Sequence, residues 1–243
     1  MTTEHAIPDS ARSAAGELGF ELDEPTWQQL ARFLALLLER NQTTNLTAVR
    51  DPEQAWPRLI LDSLTVLPAF EDLPEQARVI DVGTGGGLPG VPLAIARPDL
   101  RFTLLDSTGK KVAFIRETAE TLGLDNITAI QDRAETLAHN ATHRQQYDLA
   151  VSRAVGPLPT LLELTLPFVR QEGWCLAMKG PRVEQELADS GDALYKLGAG
   201  DLRVIDAYPE CFENDLVLVL IHKERNTPKT YPRESGLPKR SPL

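Results

Sequence analysis

The most chemically suggestive stretch of the chain is Asp81-Val-Gly-Thr-Gly-Gly-Gly-Leu-Pro-Gly90, an acidic residue followed by a run of glycines. Glycine adopts backbone angles that other residues resist, and it lets a ligand lie against the main chain. Such a turn suits a nucleotide or nucleoside when a strand leads into it and a helix leads out. Asp106 lies 19 positions after Gly87, at the end of the next expected strand, where a carboxylate can accept hydrogen bonds from ribose hydroxyls. After the third strand, Asp132-Arg-Ala-Glu135 could edge an adenine. Taken together, these segments describe a nucleoside-binding crevice.

Two cofactor classes fit that crevice. Gly85-x-Gly87-x-x-Gly90 satisfies the dinucleotide pattern of nicotinamide dehydrogenases. Three features favour S-adenosylmethionine instead. Asp81 sits two positions before the first glycine, where a cofactor amino group would be held. Pro89 and Pro92 at the helix start remove backbone N–H donors that a pyrophosphate would need. There is one apparent sheet and no Tyr-x-x-x-Lys pair for hydride chemistry. A bland reading, in which the glycines only form a tight turn, leaves Asp106 unexplained.

The same strand ends carry cations. Lys110, Arg133, Arg153 and Lys179 follow strands two to five in turn, so all four fall on the carboxyl edge of the expected sheet. Singly, each reads as a surface or ion-paired residue; together they suggest a mouth for an anionic substrate, with RNA phosphates the obvious candidate. Other chemistry is missing from the sequence. No Asn/Asp-Pro-Pro-Tyr motif grips an exocyclic amine, and Cys175 and Cys211 have no catalytic context. The four histidines (His5, His139, His143, His222) are isolated, form no metal-ligand set and read as solvated. A lone-pair nucleophile such as the seventh ring nitrogen of guanine needs no general base, which fits this inventory.

The elements that must position these residues alternate. Leu30, Phe33, Leu34, Leu37 and Leu38 make an amphipathic stripe, with Asp23 as N-cap and Pro25 in the first turn. Residues 41–46 read as a loop and 57–67 as a second helix ending at Pro68. Strands are expected at 78–83, 101–106, 126–131, 147–152, 174–178, 202–207 and 216–222. Helices are expected at 91–97, 108–122, 158–169 and 183–197. This is an α/β, Rossmann-like, doubly wound, mostly parallel seven-stranded sheet, ending in an antiparallel edge hairpin. The division reads as a small helical cap (1–70), a core domain (71–224) and a basic, Pro-rich extended tail (225–243).

Composition is that of a soluble globular protein with a net charge of −10. Bulk electrostatic coating of nucleic acid is therefore excluded, but residues 222–243 hold six Lys/Arg against two Glu, a tail that could bind RNA or simply be solvated. Two single cysteines fit a reducing cytoplasm. The longest apolar run, Phe33–Leu38, is too short for a bilayer, and no signal peptide is expected.

Several motifs resemble one family closely. They are Asn45-Leu-Thr-Ala-Val-Arg50-Asp-Pro52, Ile60-Leu-Asp-Ser63, Asp81–Gly90, Leu104-Leu-Asp-Ser107 with Gly109-Lys110, and Ser152-Arg-Ala154. The chain is similar over about residues 23–223, and again in the tail at 226–233, to the bacterial 16S ribosomal RNA guanine-N(7) methyltransferases (RsmG, or GidB). The resemblance implies methyl transfer from S-adenosylmethionine to one guanine of 16S ribosomal RNA, naked or in the small subunit, by a monomeric cytoplasmic enzyme without metal. It implies class I methyltransferase architecture. Gly83 and Leu88 would contact the cofactor, Asp106 with Ser107 its ribose region, and Ala134 and Glu135 its adenine. Arg153 would close the site as a positioning residue, and Asn45, Lys110, Arg133 and Lys179 would face RNA. Two departures stand out: Leu59 replaces a histidine common in relatives, and Gly86 replaces a frequent proline, which should loosen the loop. The remaining alternatives are a non-catalytic RNA-binding or ribosome-assembly protein, and a nicotinamide dehydrogenase.

Overall fold

In the first strand, β1 (Arg78–Val82), successive side chains alternate between two faces, and every residue after Arg78 is buried. Val79 joins one apolar cluster while Ile80 and Val82 join another. A strand buried on both sides belongs at the centre of a layered fold. The computed structural model places it there. The structure describes residues 7–19, 21–153, 155–206 and 216–243, with the backbone alone for Pro52 and Glu53. Cys211, His5, Ala154 and Ala207 fall outside the described residues.

The chain opens with α1 (Asp9–Glu17) and α2 (Glu24–Asn41). Asp23 caps α2 as expected, its Oδ1 accepting the Thr26 N–H at 2.9 Å. The second expected helix is less regular. Short α3 (Pro52–Ala55) runs into a π-wound segment, Trp56–Leu61, then α4 (Asp62–Leu64) and a 3₁₀ turn, Leu67–Phe70. After β1 come α5 (Gly90–Ala96), β2 (Arg101–Asp106), α6 (Gly109–Leu122), β3 (Ile127–Gln131), α7 (Ala134–Leu137) and β4 (Tyr147–Arg153). Gly123, in the left-handed region, ends α6. Then follow α8 (Leu158–Thr165), β5 (Val169–Lys179), α9 (Val183–Ala188), α10 (Gly191–Leu197), β6 (Ala199–Ile205), β7 (Val217–Lys223) and α11 (Leu237–Arg240).

The seven strands lie in the order β3-β2-β1-β4-β5-β7-β6. Pairs from β3 through β5 are parallel; β7 runs antiparallel between β5 and β6. The expected sheet and its antiparallel terminal hairpin are both present. Strand order reverses beside β1, between its neighbours β2 and β4, so the ends of these strands form the crevice where ligands bind in such sheets. One expected helix is broken: α9 and α10 are separated at Asp189 and Ser190. One strand is longer than read, because β5 begins at Val169, before the positive-φ Glu172.

Each face of the sheet has its own apolar core. On one, α1, α2 and the Trp56–Leu64 segment pack with α5 and α6 over Val79, Leu104 and Val151. On the other, α8 and α10 cover Ile80, Leu105, Ala150 and Val219. The residues after β7 do not extend away from the body. Tyr231 and Leu243 pack against the second core, and Arg144 donates to the carbonyls of Thr227, Pro228 and Tyr231. This corrects the reading of an extended tail: a segment rich in proline and cations, with only the short α11 as regular structure, is fastened to the body by Arg144. Among the described residues, no helix is long and apolar enough to cross a membrane.

Gly90 is where α5 leans hardest on the sheet. A β-carbon there would overlap Leu104 Cδ2 and approach Asp81 Oδ2 to 2.8 Å. Overpacking of a rigid strand–helix contact costs about 1–3 kcal/mol. Gly90→Ala is expected to lower the urea unfolding free energy by that amount; an unchanged midpoint would show the contact to be slack.

Candidate active site

The glycine turn leaves β1 and folds back over the end of β2: the N–H groups of Gly83 and Thr84 both donate to Leu105 O, at 2.8 and 3.0 Å. Two carboxylates hold it. Asp106 Oδ2 accepts the Gly85 N–H at 3.0 Å while its Oδ1 accepts the Thr108 N–H at 2.8 Å, so one side chain ties the turn to the start of α6. Asp81 is wholly buried, and its Oδ2 accepts the Gly90 N–H at 2.9 Å. Gly83 has φ +77°, and a β-carbon on it would press Val155 Cγ2 at 2.6 Å. Backbone with no side chain therefore forms the floor there, as close approach of a ligand requires.

A crevice opens beside this turn. Its walls are Gly83, Asp106, Ser107, Ala134 and Glu135, with Arg133 at the rim. Five of the seven residues expected to bind a cofactor thus meet in one place. Leu88 is not among its walls: its side chain is buried in the first core. Arg153 does not line the crevice either. The loop after β4 runs between two cavities, and Arg153 lies on the second with Asp62, Met178, Lys179 and Arg182.

Charge in this second cavity is already organised. Arg153 Nη1 donates to Asp62 Oδ2 at 2.6 Å and to Arg58 O at 3.3 Å. Asp62 comes from the helical N-terminal segment, just after the π-wound turn, so the cap supplies a side chain to the site. Lys179 is nearly buried, with Nζ 2.5 Å from Glu186 Oε2 and 2.8 Å from Gly156 O. Its charge is compensated inside the fold, unlike that of exposed Lys110. Arg133 is half exposed and bonds Glu135 Oε1 at 3.1 Å. Arg182 on this cavity, and Arg58, whose carbonyl accepts from Arg153, are further exposed cations that the sequence reading did not name. Asn45 is exposed on the loop after α2; neighbouring Leu46 touches Gly86, bringing this loop to the glycine turn. Gly86 does not loosen the turn, since Leu37 and Leu46 pack directly on it.

Several sites were misread or unread. The tail contributes Pro238 and Lys239 to the crevice wall. Although burial pushes the Glu135 carboxyl up, the Gly236 N–H and Arg133 hold it below its ordinary 4.5. Two histidines read as solvated are engaged: His139 Nε2 meets Pro232 O at 2.8 Å and His143 Nδ1 meets the Tyr147 hydroxyl at 2.6 Å. Burial pushes the Cys175 thiol up to about 11, so it stays protonated and unreactive. Among the described residues, no three His, Cys, Asp or Glu are grouped to hold a metal.

A sequence model of the GidB family, described as rRNA small subunit methyltransferase G, matches residues 26–211. The chain belongs to this family. It is 39% identical over 232 residues to the Ribosomal RNA small subunit methyltransferase G of Desulforamulus reducens, covering 96% of each chain. With the protein of that name from Deinococcus radiodurans it shares 43% identity over 233 residues, 96% of this chain and 91% of the relative. The fold is shared with solved structures at lower identity. The S-adenosylmethionine-dependent methyltransferase SibL, in its apo form, aligns with a TM-score of 0.56 at 20% identity, over 88% of this chain and 77% of that one. The YcgJ protein of Bacillus subtilis gives 0.53 at 13% identity, over 68% and 99%. A member of a methyltransferase family in this fold takes S-adenosylmethionine as its methyl donor, and the nicotinamide reading is set aside.

The residues present fit that cofactor. Asp81 Oδ1 and Thr84 Oγ1 are buried with no partner beyond each other, and a buried carboxylate oxygen held by so little suits an incoming ammonium group. Burial lifts the Asp81 carboxyl from 3.8 to about 6, against the pull of the Thr84 hydroxyl, the Gly90 N–H and Arg153. Because the folded value is the higher one, the proton favours the folded form: this contribution is full below 3.8 and lost as pH rises through about 6. Measured against Asp81→Asn, the wild-type unfolding free energy is therefore expected to decline across that window. A difference independent of pH would mean that Asp81 titrates alike in the folded and unfolded chain.

Proposed function

We propose that this chain methylates the seventh ring nitrogen of one guanine in 16S ribosomal RNA, as a cytoplasmic monomer. The observation that carries the reading is the pair of cavities flanking one loop, a nucleoside crevice on one side and a charged pocket on the other. Gly83, Asp106, Ser107, Ala134 and Glu135 hold the cofactor in the first. When bound, S-adenosylmethionine supplies a methyl group on a cationic sulfur, which departs as a neutral thioether.

The second pocket receives the base. The guanine ring nitrogen carries an in-plane lone pair and needs no proton removed, so alignment is the main task of the protein. Arg153, fixed by Asp62 and Arg58 O, is the positioning residue between the two cavities, a role that replaces direct cofactor contact. Lys179 shapes this pocket through Glu186 and Gly156. Lys110 and Arg133, with Arg58, Arg182 and the Asn45 loop, offer the surface that RNA phosphates meet. Such an enzyme must take its base out of the stack, and a pocket edged by the exposed cation Arg182 suits a splayed nucleotide. The non-catalytic assembly-protein alternative has no use for a buried Asp81 carboxylate oxygen whose sole side-chain neighbour is the Thr84 hydroxyl. The division into a cap (1–70), core domain (71–224) and tail (225–243) is retained as a description of segments, although cap and tail both serve the site.

Mass spectrometry of 16S ribosomal RNA from cells with and without the gene tests the activity; equal 7-methylguanosine content would defeat it. Arg153→Ala is expected to lower kcat about 100-fold or more through lost alignment, leaving cofactor affinity within about three-fold. Asp62→Asn should do the same more weakly. Lys110→Ala is expected to weaken RNA binding and reduce its salt dependence, with kcat at saturating RNA retained. Loss of cofactor affinity in all three variants would contradict this division of roles.

A further inference from the structure

The cations after His222 look from sequence like a polyanion-binding arm, yet three of the six are used inside the fold. Lys223 is buried, its Nζ reaching Leu166 O at 2.6 Å and Thr227 Oγ1 at 2.5 Å. Arg225 Nη2 donates to Tyr195 O at 2.8 Å. Arg233 meets Glu163, a carboxylate with no exposed surface, through its backbone N–H at 2.8 Å, its Nε at 2.9 and 3.1 Å and its Nη2 at 2.6 Å. A buried ion pair is seldom worth more to stability than an apolar pair of the same size. What it does supply is geometry, because a desolvated carboxylate on α8 accepts its partner in one place only.

That place decides where the end of the chain lies. Three residues beyond Arg233, the Gly236 N–H donates to Glu135 Oε1 at 2.8 Å. The Thr160 hydroxyl then donates to Pro238 O at 3.0 Å, and Arg233 Nη2 reaches forward to Ser241 O at 2.8 Å. Between these fastenings Pro238 and Lys239 form part of the crevice wall, together with Gly83 and Asp106. Neither Glu163 nor Arg233 lines the crevice.

We propose that residues 231–243 are a clasp completing the S-adenosylmethionine site, and that Glu163 and Arg233 are positioning residues that set cofactor affinity by fixing Pro238 and Lys239 at the adenine end. The clasp rests on the reading of this crevice as the cofactor's. It also assigns Glu135 a second task, since one carboxylate oxygen joins the tail to the loop after β3. The adenine side of the site is then built from four distant segments: the glycine turn, the loop after β3, α8 and the C-terminus.

Calorimetry on the full chain tests this, with Asp106→Ala as the control for the crevice itself. Arg233→Gln and Glu163→Gln are each expected to raise the Kd for S-adenosylmethionine about ten-fold or more, the loss of one charge-assisted contact. In turnover assays the KM for the methyl donor should rise similarly while kcat at saturating donor stays within about two-fold. Arg233→Lys should recover part of the affinity by restoring the charge without the fork. A pair that only stabilises the fold would lower Tm and leave KM unmoved, which would overturn the clasp. Should the variants fail to fold, hydrogen exchange on the unaltered protein decides: amides of residues 234–243 are expected to slow when S-adenosylhomocysteine is added, and unchanged exchange there overturns the proposal. Normal affinity in both pair variants with loss in Asp106→Ala removes the clasp and keeps the crevice; normal affinity in Asp106→Ala as well removes both.

Discussion

The architecture depends on one constraint: a glycine turn must double back over the end of β2 without a side chain in the way. Asp81 and Asp106 accept backbone N–H groups from that turn, and the charge of Asp106 adds to the burial that raises the Asp81 carboxyl. Fixed in this way, the turn aims α5 across the sheet and leaves bare backbone at Gly83. The cap then packs on Gly86 through Leu37 and Leu46. Loosening the turn would therefore disturb the crevice and the cap together.

Around that turn, opposite faces of the sheet supply opposite halves of the site. The cap lies on the α5 and α6 face and sends Asp62 to Arg153. The C-terminal segment lies on the α8 and α10 face and sends Pro238 and Lys239 to the crevice. Among the described residues, neither the cap nor the C-terminal segment is an appendage. A central sheet buried on both sides makes this economical, since a segment on either face can reach the same carboxyl edge. The family assignment names the chemistry, and this arrangement explains how one short loop after β4 can serve two neighbouring cavities.

Much of the fold was legible because its signals are local. Strand alternation, Asp23 as an N-cap, Gly123 as a helix end and the glycine turn depend on residues a few positions apart. Strand ends alone pointed to Gly83, Asp106 and the segment holding Ala134 and Glu135, while Ser107 came only with the family resemblance. Leu88 was not legible in the same way: it lies on the same glycine turn as Gly83, but its side chain is buried in the core. The charge of Lys179 was equally hidden, because Glu186 lies on a separate helix and nothing in the spacing links the two.

The sequence by itself determined the sheet, its carboxyl edge and the place where a nucleoside would lie, since hydrophobic period and glycine chemistry act over one turn or strand. Only the tertiary structure decided which cations remain exposed and where the tail rests. Ion pairs such as Arg153–Asp62 and Arg233–Glu163 join residues 91 and 70 positions apart, and burial, which makes such pairs geometrically decisive, is a property of the whole fold. A run of lysines and arginines therefore reads as a surface charge until the structure shows which of them already have partners.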